Sequence, residues 1–155
     1  DGAIFVTHFE HDERSLEDCN IVSIDRPLGR DVPYVTSDNY EATERAIEYL
    51  IGKGCKKIGY IGSKPLVESE VLKREEAYLD VMKKHNMPPR ITNDVILHGE
   101  ESNVAARFLD EYGDVDGVFA SGYTMAQVLY ETAAKRNIRI PEDMQAVSYD
   151  GSFEQ

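Results

Sequence analysis

Two aspartates and one arginine stand out by their positions. Asp25 follows NIVSI (Asn20–Ile24) and precedes Arg26-Pro27; Asp150 follows AVSY (Ala146–Tyr149) and precedes Gly151. Short β-branched, apolar runs of this kind read as buried strands, and an acid at such a strand's tip needs hydrogen-bond partners. Arg74 lies three residues after Val71 and four before Tyr78, so on a helix the three share one face. Near a helix N-terminus a cation sits at the unfavourable end of the dipole, so local helix energetics do not explain it. Guanidinium donors and carboxylate acceptors together could orient a polar small molecule. The plainer alternatives are loop entry for the two acids and, for Arg74, an i,i+4 pair with Glu70 worth only ~0.3–0.5 kcal/mol.

Other chemistry finds little support. No GxxxxGK[ST] or GxGxxG follows a strand and no GxSxG occurs, which argues against phosphate cradles and nucleophile elbows. His8 and His11 flank Glu10 beside Asp12, but without a third ligand in register a solvated acidic loop explains them better than a metal site. No pair of carboxylates has a fixed spacing suited to acid–base work. The expectation is a binding site, with no catalysis, cofactor or metal.

Charge and composition narrow the field further. With 17 basic and 29 acidic residues, the net charge of −12 repels phosphate, and no Lys/Arg stripe offsets it, so these residues are not expected to touch nucleic acid. No run approaches the ~20 apolar residues of a membrane span. Cys19 and Cys55 are far apart and belong to no CxxC, which suggests inert thiols in a reducing, cytoplasmic setting. The chain has no initiator Met and leads from Asp1-Gly2 straight into AIFV, with nothing resembling a signal peptide. The expectation is a piece of a longer protein.

The elements that would position these residues alternate. Strands are expected at Ala3–Thr7, Ile21–Ile24, Lys57–Ile61, Val95–His98, Gly117–Ala120 and Ala146–Tyr149, with an irregular passage over 26–37. A helix should begin at Asp38, as cap, with Glu41 reaching back. Ala42, Ala46, Ile47, Leu50 and Ile51 recur at helical spacing before Gly54. Further helical patterns run over about 68–86, 100–112 and 123–136. Strands alternating with helices predict an α/β fold with a mostly parallel, doubly wound sheet. Each strand ends on polar or small residues: Asp25-Arg26, Gly62-Ser63, His98-Gly99, Ser121-Gly122 and Asp150-Gly151. In an open parallel sheet these ends share one edge, where ligands bind.

The motifs, taken in order, resemble a family. DGAIF (1–5), IVSIDR (21–26), VTSDN (35–39), LIGKGCKKIGYIG (50–62), Arg74 opening a helix with Ala77-Tyr78 after it, VDGVFASGYTMA (115–126) and NIRIPEDMQAVSYD (137–150) together resemble the lactose-repressor/galactose-repressor family of bacterial transcription regulators. The resemblance covers essentially the whole chain. It implies a periplasmic-binding-protein-like effector domain of two α/β lobes, homodimeric, that binds a small-molecule effector, usually a sugar. Operator DNA would be bound through a helix-turn-helix absent from this chain. Residues 1–36 would be the end of the N-terminal lobe with its crossover, 37–150 the C-terminal lobe, and 151–155 the start of the return crossover.

By the family pattern Asp25, Arg74 and Asp150 fall where relatives contact the effector, and Gly122, Tyr123, Glu68 and Glu70 fall at the cleft. Asp38 reads first as the helix cap. Three departures bear on the effector's identity. Tyr123 stands where relatives commonly carry Asp, either to stack on a sugar ring or to fill the core. The segment after Gly99 lacks an aromatic. Glu68 and Glu70 replace residues that are usually neutral or basic. The alternative from another class is a transport-type periplasmic sugar-binding protein, which shares the architecture.

Overall fold

The described residues of the computed structural model, 2–6, 20–28, 31–96 and 99–151, hold seven strands and four helices, three strands first and then helices and strands in alternation. His8, His11, Cys19, Leu97 and His98 lie outside them. β1 (Ala3–Phe5), β2 (Ile21–Ile24) and β3 (Tyr34–Val35) form a small parallel sheet in that order. α1 (Asn39–Gly52) then leads to the larger sheet, built from β4 (Ile58–Ser63), β5 (Arg90–Asp94), β6 (Gly117–Ala120) and β7 (Gln145–Ser148). α2 (Leu72–Lys84), α3 (Glu101–Glu111) and α4 (Tyr123–Lys135) supply the crossovers. The larger sheet is parallel throughout, in the order β5-β4-β6-β7.

That sheet is covered on both faces, and its two-residue period shows how. Ile58, Tyr60 and Phe119 point to one side, where they pack with Ile47 and Leu50 of α1 and Tyr78, Val81 and Met82 of α2. Ile61, Val118 and Ala120 point to the other, against Val104, Phe108 and Leu109 of α3 and Met125 and Leu129 of α4. Gly59 also faces α3: a Cβ there would come within 2.4 Å of Phe108 Cζ. The Phe108 ring therefore packs directly on β4 backbone.

Local signals set the start of α1. Asp38 Oδ1 accepts from the Glu41 N–H at 3.0 Å, as expected of a cap. Glu41 does not reach back; its carboxylate lies 3.5 Å from Arg45. After Lys53 closes the helix, Gly54 takes φ +95°, a left-handed conformation that glycine adopts without steric cost.

Two sequence expectations need correction. The strand expected at Val95–His98 is Arg90–Asp94, because its register against β4, from Gly59↔Arg90 to Ser63↔Asp94, ends it level with Ser63. Val95 and Ile96 lie beyond the strand, and Val95 is exposed. The passage 26–37 is also not wholly irregular. Tyr34-Val35 pair with β2 as β3, with Ser23 N–H donating to Pro33 O and Asp25 N–H to Val35 O at 3.0 and 2.9 Å. At the exit of β2, Asp25 takes φ +62°.

Cys55 is buried and free, and burial pushes its thiol pKa up, which leaves it a weak nucleophile. Among the described residues no group of three or more His, Cys, Asp or Glu is placed to hold a metal ion, and no helix is long and apolar enough to cross a membrane.

An ion pair between α4 and β7 gives a pH test of the fold. Asp143 accepts from Arg139 Nη2, Nε and backbone N–H at 2.6, 2.8 and 2.9 Å, and these bonds hold its pKa down to about 2. The unfolded value is ~3.9, so the contribution is complete above about pH 4 and lost as pH falls through about 2. The pair is exposed, so salt should weaken it. Asp143→Asn should flatten the acid limb of the melting curve within that window. Parallel limbs for variant and parent would show that the pair contributes nothing there.

Candidate functional site

The strand order places a crevice before any side chain is considered. From β4 the chain crosses to β5 on one side and then returns to β6 on the other. The carboxyl ends of β4 and β6 therefore flank a topological switch point, where open α/β sheets bind ligands. A cavity of about 400 Å³ opens there, lined by Ser63 and Ser121 from those two strand ends. Gly122, Tyr123 and Thr124 at the start of α4, and Asp150 after β7, also line it. A larger cleft of about 560 Å³ lies at the small sheet, around Ile4, Val22 and Pro33, away from this edge.

Arg74 is the centre of the polar cluster beside the cavity. It is 9 % exposed, on the first turn of α2. Its Nε donates to Asn39 Oδ1 at 2.7 Å and its Nη1 to the Ser121 carbonyl. Asp150 Oδ2 stands 3.8 Å from Nη1, and the guanidinium carbon lies 3.4 Å from the Tyr149 ring centroid, a cation–π contact. Burial pushes the Arg74 pKa down, while Asp150, Tyr149, Tyr60 and Asp25 push it back up. The group remains a cation. Nη2 has no hydrogen-bond partner among the described residues.

The i,i+4 alternative for Arg74 does not hold. Glu70 instead pairs with Lys73 at 2.5 Å and accepts from the Tyr34 hydroxyl at 3.2 Å. Arg74 is reserved for the sheet edge.

Asn39 is the residue that sequence reasoning missed. It is 2 % exposed. Its Oδ1 takes the Arg74 proton while its Nδ2 donates to Thr36 Oγ1 at 3.3 Å and Ser37 O at 3.0 Å. Thr36 in turn donates to Asp25 Oδ1 at 3.3 Å. A continuous polar thread thus runs from the tip of β2 to the tip of β6. The only sequence signal was an amide just after a helix cap, and its partner is 35 residues away.

The sequence-derived residues divide as follows. Asp25, Arg74 and Asp150 belong to the cluster, and Asp150, Gly122 and Tyr123 line the cavity. Tyr123 is 43 % exposed, which removes the core reading. A methyl on Gly122 would meet Asp150 Oδ2 at 3.5 Å, an ordinary contact, so no close approach requires glycine there. Gly62 is the demanding position: a Cβ would fall within 2.8 Å of Tyr60 Cε1, Asn93 Oδ1 and Ser121 Oγ. Glu68 is exposed and Glu70 half-buried, and neither lines the cavity. Burial raises the Tyr60 pKa to about 12, so its phenol is neutral beside Ser121.

Residues 47–155 match the periplasmic-binding-protein-like domain family. The chain belongs to that family. Relatives of this periplasmic-binding-protein-like domain include the ribose operon repressor of Halalkalibacterium halodurans, 29 % identical over 153 residues, covering 97 % of this chain and 46 % of that protein. The sucrose operon repressor of Streptococcus mutans is 26 % identical over 153 residues, covering 98 % and 47 %. The domain spans about half the length of these relatives. They are lactose-repressor-type transcriptional repressors, not enzymes, in keeping with the motifs. The fold matches a periplasmic binding protein/LacI transcriptional regulator from Alkaliphilus metalliredigens complexed with D-xylulofuranose. The TM-score is 0.84 at 21 % identity, over 98 % of this chain and 57 % of that one. Transcription regulator CcpA of Lactococcus lactis matches at TM-score 0.78 and 22 % identity, over 96 % and 56 %.

Proposed function

We propose that this domain is the ligand-sensing part of a cytoplasmic, homodimeric bacterial transcription regulator, whose operator binding responds to a small-molecule effector, a sugar. A helix-turn-helix outside this chain would contact the DNA, since the net charge of −12 opposes phosphate contact here. One observation carries the reading: Arg74 is nine-tenths buried, anchored through Nε to Asn39 and through Nη1 to the Ser121 carbonyl, and faces Asp150, so its guanidinium backs two residues that line the switch-point cavity. A group so placed is preorganised to donate to a ligand. Asp150, with a 57 % exposed side chain, and Asp25 supply acceptors for hydroxyl donors, and Tyr123 offers an aromatic face. The regulator reading has more support than the transport-type alternative, because the curated relatives are operon repressors.

Asp150 gives the cleanest test, since its only ion pair among the described residues is long, at 3.8 Å. A hydrogen bond to a charged group contributes ~1.5–3 kcal/mol. Asp150→Ala in the full-length protein should therefore weaken effector binding roughly ten- to a hundredfold by calorimetric titration. Its melting temperature should stay near that of the parent. Unchanged affinity with a lowered melting temperature would give Asp150 a purely structural role.

A further inference from the structure

We infer that Asp150-Gly151 is a site of spontaneous covalent modification, where the Gly151 backbone nitrogen closes on the Asp150 carboxyl and aspartate isomerises to isoaspartate at the edge of the cavity. Three Asp-Gly pairs occur, at 1–2, 116–117 and 150–151. Such pairs are the most open to this reaction, because glycine puts no Cβ beside the attacking nitrogen and leaves the backbone free to rotate. Asp1 lies outside the described residues, and the fold separates the other two pairs.

Asp116 is held. Its Oδ1 accepts from the Lys56 and Lys57 N–H groups at 3.0 and 2.8 Å, and its Oδ2 from Lys56 N–H at 2.9 Å. Gly117 is buried in β6, between Ile58 of β4 and Gln145 of β7, and a Cβ on it would lie 2.9 Å from Cys55 Sγ. Carboxyl and nitrogen cannot turn toward each other without opening the sheet. Asp150 is in the opposite situation. The ladder of β7 closes with Tyr149 N–H donating to Ala120 O at 3.1 Å, and beyond it Asp150 and Gly151 make no backbone hydrogen bond among the described residues. The Asp150 side chain is exposed, and its ion pair with Arg74 is long. Gly151 is exposed, its φ is not left-handed, and an added Cβ meets nothing within 4 Å.

In its protonated form the Asp150 carboxyl is the electrophile. Gly151 N bonds to Cγ, the Cγ–OH bond breaks, and the hydroxyl leaves as water with the amide proton. Water then opens the cyclic imide at the main-chain carbonyl, which routes the backbone through Cβ and Cγ. One water leaves and one returns, so composition is unchanged and no oxidant is needed. The carboxylate now sits directly on Cα, withdrawn from its place facing Arg74, and the cavity wall loses a positioned acceptor as the protein ages.

Full-length protein incubated for weeks at physiological pH and temperature provides the test. After digestion, electron-transfer fragmentation tells isoaspartate from aspartate in the peptides holding positions 116 and 150. Isoaspartate should form at 150 at least ~tenfold faster than at 116, which reacts only when the sheet opens locally. In guanidinium chloride the two rates should become similar. Gly151→Val, which the open space admits, should suppress the reaction at 150 and leave the melting temperature unchanged, because its branched side chain shields the nitrogen. Absence of isoaspartate at 150, equal rates in the folded protein, or full reaction in Gly151→Val would each overturn the inference. The same disparity in the unfolded chain would assign it to sequence and overturn the role given to the fold. The reaction needs no effector, so it stands or falls apart from the sugar-sensing reading.

Discussion

Alanine in place of Arg74 should lose both affinity and stability. Removing the guanidinium strips Asn39 Oδ1 and the Ser121 carbonyl of their buried donor, at ~1–3 kcal/mol for each acceptor left unsatisfied. The Nη2 donors proposed to meet the effector go as well, a further factor of roughly ten to a hundred in binding. One variant cannot separate these effects, and Arg74→Lys can. An ammonium keeps the charge and can serve one of the two acceptors, but it has no second arm in the geometry of the fork. Thermal melts should show Arg74→Lys recovering part of the lost stability, while titration shows affinity still close to that of the alanine variant. Parent-like affinity in Arg74→Lys would mean that charge alone suffices and Nη2 contacts nothing.

The second large effect is expected in the core. Gly59→Ala would put a methyl only 2.4 Å from Phe108 Cζ. The ring is fully buried between α3 and the sheet, so it must shift as a body. Overpacking of this kind costs ~1–3 kcal/mol, and Phe108→Ala alone should cost ~3–5 kcal/mol. The double variant should be more stable than the sum predicts, because the new methyl enters the space the ring has left. Denaturant unfolding of the four proteins in the cycle measures the coupling. Strict additivity would mean that the helix moves away from β4 as a unit and the two positions do not compete for one volume.

Much of the architecture was legible because its signals are local. Asp38 capping α1, the apolar spacing of Ile47 and Leu50, and the runs at β2, β4 and β6 depend on neighbours within one or two turns. β5 was not legible. VIL at 95–97 is the more apolar run, yet RITND is the strand, because pairing with β4 decides and an edge strand needs little apolar content. The polar ends of β2 and β6 pointed to one edge, but the two strands belong to separate sheets, and it is the thread through Thr36 and Asn39 that links Asp25 to Arg74 and so to Asp150. Asn39 was invisible because its role is set by contacts on separate elements, α2 on one side and the residues before α1 on the other. No spacing rule encodes such a bridge.

The left-handed backbone at Asp25 has a further consequence for how this position can change over generations. At φ +62° the residue must tolerate a conformation that β-branched and bulky side chains resist, and that glycine, asparagine and aspartate accept. From either aspartate codon a single base change reaches asparagine or glycine. Drift at the tip of β2 is therefore channelled toward two replacements that leave the chain's exit from the strand undisturbed. One trades the carboxylate for an amide and the other removes the side chain. The charge at this corner of the crevice can be altered in one mutational step without first repairing the backbone.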